Sequence, residues 1–337
     1  MMKDTTAKGL PYRVTSYWLG LAQEAPESCR KNELGVPVDP ILAQVVPSPA
    51  EEVVLPFELA DPLGEQKHKA GERIVRQYKS RVLVRATGEC FLFCRHCFRR
   101  SLIPSERSFI DVEVIDRLRS LLDQHQEVRE VLVSGGDPLT APDRRLEDLF
   151  TSIRQVKRPI LIRLCTRAPV VLPNRITPEL IGILQSAKPL HVVIQINHPR
   201  EMSEAFSKAI AMCLDAGLPV HSQTVLLRGI NDSAETLIKL FSRLVLLGVH
   251  PYYLFQGDLA AGTSHFRVPL SKGLSLYETL RHELSGLELP RYAVDAPGGG
   301  GKIYLPEGVV ERRGGVWLLK APNGLLVEYP DSALNLV

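Results

Sequence analysis

No uninterrupted apolar run in these 337 residues approaches the ~20 that a membrane span requires, so no transmembrane role is indicated. The opening residues, MMKDTTAKGLPYRVTS, lack the apolar core of a secretory signal, and the expected location is the cytoplasm. Charge of one sign is missing too. The 41 Lys and Arg face 38 Asp and Glu, a formal +3 that is too slight and dispersed for nucleic acid or an anionic membrane surface. Cysteine is scarce, six in all, yet three of the six, Cys90, Cys94 and Cys97, crowd into eight residues. In a reducing compartment that crowding suits a metal site better than a disulfide framework. The remaining composition, 45% apolar and 23% charged, is that of an ordinary globular protein with ample material for a core.

Residues 1–80 carry scattered Pro and charge with no strong period, and read as a mostly helical and irregular leader. From Arg81 onward, apolar strand-like runs alternate with amphipathic stretches of three or four helical turns. RVLVRAT (81–87), EVLVSGG (130–136), PILIRLCTR (159–167), HVVIQIN (191–197), VHSQTVLL (220–227) and YYLFQ (252–256) are each followed by such a stretch. Six consecutive βα units imply parallel strands with right-handed crossovers. Periodicity alone does not separate a curled sheet from an open, doubly wound one. Chemically capable residues recur just after strand after strand, as on the carboxyl-end rim of a barrel, and this favours an α/β partial (β/α)6 barrel over residues 81–286. Residues 287–337 turn to short strands, with Asn323-Gly324 as a hairpin turn, and read as a small C-terminal β appendage.

In ATGECFLFCRHCFRR the three thiols follow the first strand at CxxxCxxC spacing. Three thiolates on one tight loop can hold three irons of a [4Fe-4S] cube and leave the fourth open to a ligand. A zinc site is the alternative, but it would want a fourth ligand, for which His96 is the near candidate. With this motif the chain resembles the radical S-adenosylmethionine (SAM) superfamily. That resemblance implies a [4Fe-4S] cluster on Cys90, Cys94 and Cys97, with SAM on the open iron. It also matches SGGDPL after the second strand to the superfamily's SAM motif, with Ser134, Gly135, Gly136 and Asp137 meeting the SAM ammonium.

Four glycines before Lys302 in VDAPGGGGK are entropically costly unless the backbone must be bare for a ligand or a special turn. A Walker A reading fails because no Ser or Thr follows Lys302. A flexible linker fails because the flanks are apolar and strand-like. There remains a lysine that carries pyridoxal phosphate (PLP) as a Schiff base. From about Arg76 to Lys302 the chain resembles the lysine 2,3-aminomutases, through CRHCFRR, VSGGDPL, RLCTRAPVVLPNRIT, INHPRE, QTVLLRGIND, PYYLFQGDL and VDAPGGGGK.

The resemblance implies an isomerase that moves the α-amino group of L-lysine to the β carbon by a 5′-deoxyadenosyl radical mechanism on a PLP aldimine. Lys302 then carries PLP, and Tyr78 and Arg81 of QYKSR, with Gln77 where a basic residue is common, contact its phosphate. Arg99 pairs with the substrate carboxylate, Asp258 and Asp295 receive the distal ammonium, and Arg167 and Gln223 contact SAM. Two acids at one buried spot repel unless a cation sits between them, which favours lysine; arginine is the other candidate. A non-catalytic iron–sulfur protein is the rival outside enzymes, and the Lys302 motif argues against it. An amino acid is the expected substrate, and flavodoxin or ferredoxin the expected kind of electron donor. Two departures stand out: Gln195 replaces the usual His of an HFNHP-like stretch that retains His198, and Ser233 stands where longer members carry a zinc-binding cysteine. With no cysteine after Cys213, no structural zinc is expected, and the expected assembly is a homo-oligomer.

Overall fold

A computed structural model describes residues 9–103 and 106–331. Among these, ten strands form one sheet in simple sequence order. They are β1 (Lys69–Gly71), β2 (Ile74–Tyr78), β3 (Arg81–Thr87), β4 (Glu130–Gly135), β5 (Leu161–Thr166), β6 (Leu190–Gln195), β7 (Val220–Val225), β8 (His250–Phe255), β9 (Arg291–Ala296) and β10 (Gly301–Tyr304). Every step from β3 to β9 is parallel, whereas β1, β2 and β10 join antiparallel. All six predicted βα units form.

The crossover helices Val112–Gln124, Asp143–Arg154, Pro178–Ser186, Glu204–Asp215 and Ala234–Leu246 cover one face, followed by Leu270–Glu283 before β9. Asp111, Thr177, Ser203 and Ser233 cap four of them by accepting from a backbone N–H in the first turn. Ser233 is thus an N-cap. Alternation within the strands sends Val131, Val133, Ile162, Leu164, Val192 and Ile194 into a continuous apolar cluster with Leu118, Leu122, Leu146 and Leu149 of the helices. Truncating fully buried Leu149 to Ala costs about 2–5 kcal/mol. The opposite parity, Leu132, Cys165, Val193, Gln195, Gln223 and Val225, faces an interior cavity.

The sheet is not closed by a ladder, since β1 and β10 are its edges. Its two ends nevertheless meet. The Lys302 N–H donates to the Tyr78 hydroxyl at 3.0 Å, Gln77 Nε2 donates to Gly299 O at 3.0 Å, and the Gly298 N–H donates to Pro62 O at 2.9 Å. A sheet whose second strand touches its last must curl around its interior, so the molecule is a partial barrel with a seam made largely by side chains. The glycine run makes that seam possible. Gly298, Gly299 and Gly301 have φ of +71°, +98° and +91°, and Gly298 O lies only 2.6 Å from where a Cβ on Gly64 would be.

The sheet runs past both expected boundaries, from β1 at one end to β10 at the other, leaving β11 (Val309–Arg313), β12 (Val316–Lys320) and β13 (Leu326–Pro330) as a separate three-stranded sheet. Asn323-Gly324 makes the expected turn between β12 and β13, with Gly324 at φ +85°. The leader is more irregular than helical. Its described residues hold two four-residue helices, Ser16–Leu19 and Pro40–Ala43, and two 3-10 turns, because the seven prolines from Pro26 to Pro62 inclusive interrupt any longer run. No helix among the described residues is long and apolar enough to cross a membrane.

Candidate active site

A cavity of about 340 Å³ opens at the carboxyl ends of the parallel strands. Its wall includes every predicted site residue: Cys90, Cys94, Cys97 and Arg99 from the loop after β3; Ser134 and Gly135 at the end of β4 with Gly136 and Asp137 just after it; Arg167 after β5; Gln223 on β7; Asp258 after β8; Asp295 on β9; Lys302 on β10; and Tyr78 and Arg81 at the β2–β3 turn. Gln195 lines it too, with Nε2 at 3.2 Å from His96 Nε2. His198 does not line it; the ring caps the turn Pro199–Glu201 by accepting from Arg200 N.

The cysteine loop is half-buried, with all three thiols partly exposed to the cavity, and is clamped from outside. Burial pushes the Cys90 thiol up, as do Asp137 and the other two thiols, and burial with Cys94 pushes Cys97 to about 11. Cys90 and Cys97 so shifted ionise together only beside cations, which irons would supply. Among the described residues, no His, Cys, Asp or Glu side chains converge as the ligands of a single ion. A cube that takes one thiolate at each of three corners does not require such convergence. Arg167 adds a fixed charge here, with Nη1 donating to Cys94 Sγ at 2.8 Å and Nη2 to Gln44 Oε1 at 2.6 Å and Glu201 Oε2 at 3.2 Å.

The two glycines of SGGD answer first to packing. A Cβ on Gly136 would lie 2.3 Å from Glu89 O, and one on Gly135 2.3 Å from Thr87 O, so the β4 loop rests directly on the cysteine loop's backbone. Asp137 is occupied as well. Its Oδ1 accepts from Thr166 Oγ1 at 2.7 Å and its Oδ2 from Arg167 N at 2.8 Å, while burial raises its pKa. The carboxylate therefore braces the β4 and β5 loops together.

At the opposite pole, Lys302 Nζ donates to both oxygens of Asp295, at 2.9 and 3.0 Å, across the β9–β10 ladder. It also sits 4.1 Å from the Phe255 ring centre and 5.1 Å from that of Tyr253. Burial and the neighbouring Asp295 raise the Asp258 carboxyl to about 8, with Lys302 pulling the other way. Arg81 stacks 3.6 Å from the Tyr78 ring centre. The cation on Lys302 thus balances one of two acids, and a group that consumed that charge would leave the acids facing the cavity.

Several residues that hold this arrangement carry no sequence motif. Glu51 accepts from Arg95 Nε at 2.8 Å and Arg100 Nη2 at 2.6 Å, fastening the leader to the cysteine loop. Glu65, 5% exposed, accepts from Arg99 Nη2 at 2.6 Å and Nε at 3.1 Å, and from Arg85 Nη1 at 3.3 Å. Arg99 Nη1 turns to Ser134 Oγ at 3.1 Å. The available signal was indirect: an arginine beside a buried metal loop needs an acid, and the leader supplies isolated ones.

A cysteine loop at the end of the first parallel strand, facing the interior of a curled βα sheet, defines a radical SAM protein, and residues 84–241 match the Radical SAM superfamily. Such a protein uses a [4Fe-4S] cluster and SAM. Whole-chain similarity narrows the class. The chain is 46% identical over 309 residues to a putative L-lysine 2,3-aminomutase of Treponema pallidum, covering 87% of this chain and 86% of that one. It is 37% identical over 327 residues to the L-lysine 2,3-aminomutase of Fusobacterium nucleatum, covering 97% and 75%. It is 35% identical over 272 residues to the glutamate 2,3-aminomutase of Clostridioides difficile, covering 80% and 64%. The chain belongs to the L-lysine 2,3-aminomutase family.

Proposed function

We propose that this enzyme converts L-lysine to β-lysine, with PLP on Lys302 and SAM beside the cluster. The observation that carries the reading is the pair of acids around Lys302: Asp295 bound to its ammonium and Asp258 raised by burial in the same cavity. Once Lys302 is committed to a cofactor its cation no longer serves them, and a substrate with a distal ammonium restores the balance. A distal carboxylate, as in glutamate, would add negative charge beside both acids instead of the cation they lack.

Cys90, Cys94 and Cys97 would hold the cluster, Ser134, Gly135, Gly136, Asp137, Arg167 and Gln223 would surround SAM, and Tyr78 and Arg81 would flank PLP. When bound, the cluster and SAM supply a carbon-centred radical, and PLP supplies the conjugated system that lets nitrogen migrate. The chain's own part is to position and to exclude water. Arg99, its plane fixed by Glu65, anchors the α-carboxylate. Asp258 and Asp295 hold the far end, so that the α and β carbons are fixed between two charged anchors. Reduction requires an outside one-electron donor such as flavodoxin or ferredoxin.

The test is anaerobic reconstitution with PLP, SAM and reductant, offering L-lysine, L-arginine and L-glutamate separately and resolving products by chiral chromatography. β-Lysine without net loss of SAM is expected. Isomerisation of arginine or glutamate instead would reassign the substrate, and SAM cleavage without an isomerised amino acid would remove the aminomutase reading.

A further inference from the structure

Resting on the assignment of Asp258 to the substrate's distal ammonium, we infer that the separate C-terminal sheet serves the active site through Tyr329, a positioning residue that holds the Asp258 loop. Leu326 on β13 is 55% exposed, yet Tyr329 on the same strand is fully buried. Its hydroxyl donates to Gly257 O at 2.6 Å and accepts from Gln256 Nε2 at 3.1 Å. These two residues immediately precede Asp258.

Gln256, 1% exposed, spends its remaining capacity inside the same network: Nε2 donates to Val268 O at 2.7 Å, and Oε1 accepts from the Tyr292 hydroxyl at 2.6 Å. Tyr292 lies on β9, three residues before Asp295. Room for its hydroxyl is made by Gly273, where a Cβ would come within 2.0 Å of that oxygen. The network therefore ties together the segments that carry both acids, and every member is satisfied without water.

The anchoring sheet is itself fixed. Asp331 accepts from Ser271 N at 2.9 Å at the start of helix Leu270–Glu283 and pairs with Arg312 Nη2 at 2.8 Å, and its own N–H donates to Gly315 O at 2.8 Å. The physical need is electrostatic. Burial and Asp295 both disfavour charge on Asp258, so its carboxyl stays beside Asp295 to meet a cation only if the backbone of the loop after β8 is held. Tyr329 grips that backbone at the residue next to Asp258.

The experiment uses reconstituted holoenzyme. Tyr329→Phe removes only the hydroxyl, and the KM for L-lysine should rise roughly tenfold, with kcat, iron content and the KM for SAM changing less than about twofold. Asp258→Asn should raise the lysine KM more, and the double variant should be no worse than Asp258→Asn alone, because Tyr329 acts through Asp258. An unchanged lysine KM in Tyr329→Phe, with a raised one in Asp258→Asn, overturns the latch and leaves the substrate assignment standing. An unchanged KM in Asp258→Asn overturns the assignment and the latch with it. A lower melting temperature with unchanged KM assigns Tyr329 to stability only and also overturns the proposal. Should Tyr329→Phe fail to fold, Tyr292→Phe cuts the same network at its other end and carries the same expectation and the same refutation.

Discussion

The two poles of the cavity are built differently. The cysteine pole comes mostly from one short stretch after β3, with neighbouring loops laid directly on its backbone, as the 2.3 Å approach between a Gly136 Cβ position and Glu89 O shows. The lysine pole is assembled from β2, the β8 loop, β9 and β10, and exists only because the seam between Tyr78 and Lys302 brings the ends of the sheet together. A local motif makes the first, and long-range closure makes the second. The poles should therefore fail separately.

Cys94→Ala breaks the first pole outright. Iron incorporation, SAM cleavage and isomerisation are expected to fall to background, while PLP still gives imine absorbance on Lys302; retention of a full cluster by iron analysis would contradict the ligand assignment. Lys302→Ala makes the converse cut, abolishing the imine and isomerisation but leaving iron content and SAM binding intact. Loss of iron in that variant would show that the poles are coupled after all.

Asp258→Asn is a smaller change, expected to raise the lysine KM by roughly ten- to a hundredfold. It also has a pH signature. A carboxyl raised by burial holds a proton in the folded state that the unfolded chain has released, so the folded state binds more protons between the usual carboxylate range and about 8. Stability of the cofactor-free protein should fall as pH climbs through that window, and Asp258→Asn should flatten the slope of the urea midpoint against pH. The smallest effect belongs to Gln77→Ala. Losing one seam hydrogen bond to Gly299 O should cost about 1 kcal/mol and weaken PLP retention several-fold, with SAM binding unchanged.

The strand–helix alternation was legible because parallel strands buried on both faces, such as RVLVRAT and HVVIQIN, read as near-continuous apolar runs. The cysteine spacing was legible because ligands on one loop must be close in sequence. The SGGD glycines were found, but their packing against the cysteine loop was not, since nothing in SGGD names the backbone it touches. Glu51 and Glu65 escaped notice for a related reason: acids in an irregular leader look like surface charge until the arginines they neutralise are seen beside them. β9 and β10 were read as an appendage because the βα period stops before them, although they complete the sheet.

By itself the sequence determined which chemistry is available: three thiols at cluster spacing, a lysine behind four glycines, and six βα units to carry them. Tertiary structure alone decided that these groups share one cavity, which acid faces Lys302, and which buried charges fix the arginines. The reason is physical. Spacing along a strand or loop is set by covalent geometry, whereas the meeting of Tyr78 with Lys302, more than two hundred residues apart in sequence, depends on the accumulated twist and curl of a ten-stranded sheet.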